Sequence, residues 1–137
     1  MRDKLWLTQK QVMYMEDRTP DFTAVPPLEE NLKKAVTEML VLYLLSRREY
    51  YIGELTEQIR IASHQALNVV FPYAAIYRME TAGYIEERKK RRAPDGRWRQ
   101  YYGITETGRQ RLAVQLGMYR RVVRGVEDIL GSEDDQA

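Results

Sequence analysis

Hydrophobic positions recur along this chain with two periods, and the change between them outlines its architecture. From Leu28 to Ser46, Leu32, Val36, Met39, Leu40, Tyr43 and Leu44 fall at helical spacing, with Leu42 and Leu45 widening the apolar face. Such a broad face predicts a helix in the middle of a small core. Gly53 to Ile61 predicts a second helix with Leu55, Ile59 and Ala62 inward, after a turn or short strand at Glu49 to Ile52. A polar connection, Ser63 to Leu67, leads to a third helix from about Val69 to Ala82, whose inner positions are Ile76 and Met79. Pro72 suits its first turn, Asn68 is placed to cap it, and Gly83 ends it as a residue able to take positive φ.

The period then shortens. Tyr84-Ile85 opens a strand that runs into Arg88-Lys89-Lys90-Arg91-Arg92, turns at Asp95-Gly96 and returns through Arg97 to Tyr102. Asp-Gly between two such runs predicts a hairpin with both central residues at positive φ. Thr105 is a good N-cap for a last helix reaching about Leu130, with Glu106 at the positive end of its dipole. Along it Leu112, Leu116, Tyr119, Val123, Val126 and Leu130 fall at spacings of 4, 3, 4, 3 and 4, the seam of a helix paired with another helix. That partner is the first helix or, as favoured here, a second copy of the last one. Gly131 is expected to end it, leaving residues 132–137 as a disordered acidic tail. Residues 1–27 form an arm with a short helix expected over 9–17 after the capping-box spacing Thr8 to Gln11. Its apolar mass suits a docked arm better than a free tail.

Composition narrows the classes. A chain of 137 residues is one domain by length, or a small domain with arms. There is no cysteine, which excludes disulfides, Cys-bound zinc and thiol catalysis. No run long enough to span a membrane occurs, and the N-terminus lacks an apolar signal core, which fits a cytoplasmic protein. The net charge is only +2, but seven Lys/Arg against one Asp lie between Arg88 and Arg99. That local +6 leaves −4 for the rest of the chain. Such a concentration is the footprint of phosphate contact, and equally that of a solvated hairpin whose charges repel edge pairing.

The order helix, helix, helix, two-stranded wing, long helix is that of a mainly α winged helix-turn-helix with a small two-stranded β-wing and a C-terminal dimerisation helix. The chain resembles the PadR family of bacterial transcriptional regulators. The resemblance is carried by Gln100-Tyr101-Tyr102-Gly103-Ile104-Thr105-Glu106-Thr107-Gly108-Arg109, which mirrors the family's wing-to-helix signature. It is carried too by Tyr73 with Ile76, Met79, Glu80 and Gly83 at recognition-helix spacing, and by the apolar first helix from Glu38 to Leu45. Tyr51-Ile52-Gly53-Glu54-Leu55 departs from the family's His-Gly-Tyr-Glu-Ile, and Val69-Val70-Phe71-Pro72 from its small-residue loop. The domains expected are an arm and linker at 1–27, the DNA-binding domain at 28–104 and the dimerisation helix at 105–131.

The resemblance implies a homodimer on a palindromic double-stranded operator, the third helix in a major groove and the wing on the backbone. The candidate DNA-binding residues are Asn68, Tyr73, Tyr77, Arg78, Arg88, Lys89, Lys90, Arg91, Arg92, Arg97 and Arg99. A tyrosine near a helix start is also an ordinary cap over a core, an alternative that stays open for Tyr73 and Tyr77. Trp98 is expected to cover the core beneath the wing. Repression relieved by a planar aromatic effector is implied by resemblance alone, with Trp6, Tyr43 and Tyr119 as candidate contacts, although such aromatics more often pack. The alternative function is a winged-helix protein-interaction module without DNA binding. Catalysis has little support. His64, the single histidine, sits in a polar loop, Glu86-Glu87 and Asp134-Asp135 lack His or Cys companions, and neither cofactor nor metal is expected.

Overall fold

The computed structural model describes residues 27–69 and 73–136, with side chains to residue 131. The chain divides into two compact units, residues 1–31 and 32–137. Of the first, the described part is the opening of helix α1, Pro27–Arg47. The short helix expected over 9–17 lies outside the described residues.

The order is α1, β1 (Tyr50–Tyr51), α2 (Ile52–Ala62), α3 (Tyr73–Thr81), β2 (Ile85–Arg92), β3 (Trp98–Ile104) and α4 (Glu106–Gln136). The two-stranded wing is present as β2 and β3, and the short strand β1 joins it in a three-stranded antiparallel sheet of order β1-β3-β2, because Tyr50 and Tyr51 pair with Tyr102 and Tyr101.

The core gathers Met39, Val41, Leu42 and Leu45 of α1, Leu55 and Ile59 of α2, Ile76 and Met79 of α3, and Ile85, Tyr102 and Ile104 of the sheet. Leu42, Leu55, Ile85 and Val41 are fully enclosed, each worth about 1.5–3 kcal/mol of transfer free energy. The buried stripe of α1 is rotated from the expected one, since Leu32 and Tyr43 are exposed while Val41 is buried. A helix apolar on most sides does not disclose which line faces inward. Ala62, also expected inside, is exposed.

The connections follow backbone chemistry. Gly83 takes φ +82°. Its N–H donates to Glu80 O at 3.0 Å and the Tyr84 N–H to Met79 O at 2.9 Å, the paired bonds of a Schellman ending. His64 plays the same part after α2 at φ 54°, with Gln65 N–H on Arg60 O and His64 N–H on Ile61 O. Val69 is a buried coil residue rather than a helical one, so Asn68 is not the N-cap of α3.

The hairpin loop differs from expectation. Gly96 has φ +85° but Asp95 does not share the positive region. The Gly96 N–H donates to Ala93 O and the Ala93 N–H to Arg97 O, both at 2.8 Å. Pro94 and Asp95 thus form an ordinary turn and Gly96 the left-handed residue after it, the three-residue hairpin loop. Helix α4 continues through Gly131 to Gln136 rather than stopping there. Gly131 does not take positive φ, so it is a helical interior residue and not a cap.

Candidate nucleic-acid interface

Helix α3 is short and two-sided. Ile76 and Met79 are buried, while Tyr73 at 77% and Tyr77 at 68% exposure face outward with Arg78. The N-terminal ends of helices attract anions through free amides, and a solvent-facing phenol adds a donor there. Asn68 is exposed in the preceding segment. The tyrosines are therefore not caps over the core.

Strand register decides what the basic hairpin offers. Glu87 pairs with Tyr102, Lys90 with Gln100 and Arg92 with Trp98, across an irregularity between Glu87 and Lys90. Residues directly opposite share a face, so Lys90, Arg92, Trp98 and Tyr102 lie on one side of the sheet. That side meets the core helices, since Tyr102 packs with Ile76 and Met79. Burial, then Glu80, Glu87 and Tyr73, push the Tyr102 phenol above its ordinary value. Beyond the core the strands overhang. Trp98 is 64% exposed there, not buried beneath the wing, because no element of the described structure lies under the tip. Arg92 sits 5.4 Å over its ring and donates to Gly96 O at 2.7 Å.

The opposite face is an internal ionic and aromatic lattice. Arg91 pairs with Arg99 across the strands. Arg91 lies 3.5 Å over the Tyr101 ring and donates to Glu49 Oε1 at 2.8 Å. Arg99 sits 4.9 Å over Tyr51 and binds Asp95 at 2.6 Å, and these bonds hold the Asp95 carboxyl below its ordinary range. Arg88 bonds Glu86, reaches Glu49 at 3.5 Å and donates to Ile104 O at 3.2 Å. Its guanidinium lies over Gly103, where an added Cβ would come within 2.5 Å of it. Solvent screens exposed ion pairs of this kind, so they orient side chains more than they stabilise the fold.

The seven wing cations expected to act together are therefore sorted. Arg88, Arg91 and Arg99 are held by carboxylates of their own fold. Lys89, Lys90, Arg92 and Arg97 are exposed, and no carboxylate partner is found for them among the described residues. Glu49, Tyr51 and Tyr101 are not among the site residues expected from the sequence. The one signal for Glu49 was an acid flanking a predicted short strand.

Of the heptad seam, Leu112 is 8% exposed inside its own core and Leu116 packs against that core. These two are not free for a second copy, because α4 is seated on the domain through its first turns. Tyr119, Val123, Val126 and Leu130 remain exposed, joined by Met118, Val122 and Ile129. Among the effector candidates, Tyr43 lines an open groove of about 190 Å³ with Leu40, Leu44, Ile59 and Leu67. Tyr119 is not among its walls, and Trp6 lies outside the described residues. No His/Cys/Asp/Glu group able to hold a metal occurs among the described residues, and no described helix is long and apolar enough to cross a membrane.

The family model of the transcriptional regulator PadR-like family matches residues 41–114, more than half of the chain. A Streptococcus transcriptional regulator of known crystal structure is 28% identical over 72% of this chain and 95% of its own, with a TM-score of 0.61. A PadR-like transcriptional regulator from Bacillus cereus is 26% identical over 73% of this chain and 96% of its own, with a TM-score of 0.63. A PadR family regulator from Clostridium difficile, 21% identical over 69% of this chain and 98% of its own at a TM-score of 0.57, shares the fold. No curated protein matches the chain.

Proposed function

Because the chain belongs to the PadR-like family of transcriptional regulators, we propose that it binds a palindromic DNA operator as a homodimer and represses transcription until an aromatic effector releases it. Helix α3 enters the major groove through Tyr73, Tyr77 and Arg78, and Lys89, Lys90, Arg92 and Arg97 hold the flanking backbone. The observation that carries this reading is the shared core of α3 and the wing. Lys90 and Arg92 belong to the sheet face that Tyr102 marks, the face that shares a core with Ile76 and Met79 of α3, and the same helix exposes Tyr73 and Tyr77 on its outer side. The outer half of α4, with Val123, Val126 and Leu130 uncovered, supplies the self-complementary surface a two-fold dimer requires. The domain limits expected from the sequence, 28–104 for DNA and 105–131 for dimerisation, are kept in this proposal with α4 contributing Leu112 and Leu116 to its own core.

The groove beside Tyr43 is the effector site in this reading, as a concave apolar surface between two helices. A second reading, an interaction module that leaves DNA alone, is favoured by the pairing of Arg88, Arg91 and Arg99 with internal carboxylates. One experiment separates the two. Purified protein is mixed with sheared genomic DNA at moderate salt, retained fragments are sequenced, and the Lys89, Lys90 and Arg92 to Gln variant is compared. The DNA reading expects one enriched palindrome and a loss of affinity on every fragment in the variant. Equal retention of all fragments, unchanged in the variant, would sink it.

A further inference from the structure

Glu49 lies in the connection after α1, one residue before β1, yet its carboxylate reaches across the sheet to β2. It bonds Arg91 at 2.8 Å and approaches Arg88 at 3.5 Å. Arg88 has a second acid, Glu86, and a carbonyl, Ile104 O. Among the described residues, Arg91 has only Glu49 and the Tyr101 ring beneath it. The site is open, with the Arg91 side chain 47% and the Glu49 side chain 38% exposed. A phosphate could therefore compete for this guanidinium if the carboxylate were absent.

We propose that Glu49 is a specificity-determining residue: by pairing with the guanidinium of Arg91, whose face of the sheet the strand register already fixes, it withholds one phosphate contact from the wing. The inference rests on the DNA-binding reading and deepens it. Phosphate contacts add affinity for any duplex and carry no sequence information. A restrained cation thus lowers binding to random DNA while leaving the contacts of α3 untouched. Geometry selects Arg91 rather than Arg88 as the withheld group, because replacing Glu49 leaves Arg88 its bond to Glu86. Arg99, likewise held by Asp95 and stacked on Tyr51, stays in place.

The test measures affinity of the full chain for a mixed-sequence duplex across a salt series, in wild type, Glu49→Gln, Arg91→Gln and the double variant, with thermal melting as a check on folding. Each freed phosphate contact steepens the slope of log K against log salt by about one. Glu49→Gln is therefore expected to gain affinity relative to wild type by about threefold more at about 50 mM than at about 200 mM salt. The gain should disappear in the double variant, and Arg91→Gln alone should keep the wild-type slope. A Glu49→Gln slope equal to or shallower than wild type overturns the inference while DNA binding stands. A flatter slope in Arg91→Gln alone also overturns it, because the arginine would then contact phosphate despite Glu49. Wild type that binds no duplex in a salt-dependent way removes the DNA reading, and this inference with it.

Discussion

The carbonyl oxygen of Tyr84 lies where a side chain on residue 108 would begin: an added Cβ at Gly108 would sit 2.0 Å from it. Gly108 therefore permits α4 to press directly on the turn that leaves α3. Thr105 completes the junction. Its hydroxyl donates to Gly83 O, its N–H donates to Tyr84 O at 3.0 Å, and it accepts the Gly108 N–H at 2.9 Å as the N-cap of α4. Gly108→Ala must push helix from strand, and overpacking of this kind costs about 3 kcal/mol. The expected result is a melting temperature about 10 °C lower, and an unchanged melting curve would contradict this account of the junction.

Thr105 can be tested separately. Thr105→Ala removes a cap and a hydroxyl bond that also joins two elements, and should cost about 1–2 kcal/mol. Thr105→Ser retains the hydroxyl and should recover most of that loss in chemical denaturation. Equal losses in the two variants would show that the methyl group, not the cap, matters.

The two halves of the α4 stripe should respond in opposite ways. Leu112 is buried in its own core, so Leu112→Ala is expected to lower stability by about 2–5 kcal/mol. Val126 is 47% exposed, so Val126→Glu should leave the fold of each copy intact and shift sedimentation from dimer to monomer. A monomeric wild type, or a Val126→Glu variant that sediments like wild type, would remove the proposed pairing surface.

Acid stability should report on the hairpin loop. The Arg99 side chain, and then the Arg97 N–H, hold the Asp95 carboxyl below its ordinary range. A carboxyl lowered in the folded state contributes stability above its unfolded pKa and loses it as pH falls through the lowered folded value. The wild type should therefore lose stability across that acid window more steeply than Asp95→Asn, as read from denaturation midpoints against pH. Parallel curves would mean that the pair is already open in solution.

Effector binding makes a last prediction. If the groove beside Tyr43 takes a planar ligand, Leu44→Trp, which fills it from α1, should abolish release of DNA by that ligand without weakening DNA binding. Retained release would place the ligand elsewhere.

Much of the architecture was legible in the residues themselves. The order of elements, the ending of α3 at Gly83 and the capping of α4 by Thr105 all depend on hydrogen bonds between near neighbours. Local rules suffice for them, because turn and cap chemistry acts over a few residues. The inward positions Ile76, Met79, Leu55 and Ile59 followed for the same reason, since a narrow stripe on a short helix has one way to face. What the tertiary structure alone decided depends on groups far apart in the chain or on where the core ends. Glu49 neutralises Arg91 across the sheet, so seven cations that look alike in sequence divide into held and free sets. Trp98 has the right alternation for burial, but its strand overhangs the core. The heptad of α4 is continuous as a pattern, yet Leu112 and Leu116 are taken by their own domain and only the remainder is left to a partner. A period shows which residues share a side, and only the packed chain determines what that side meets.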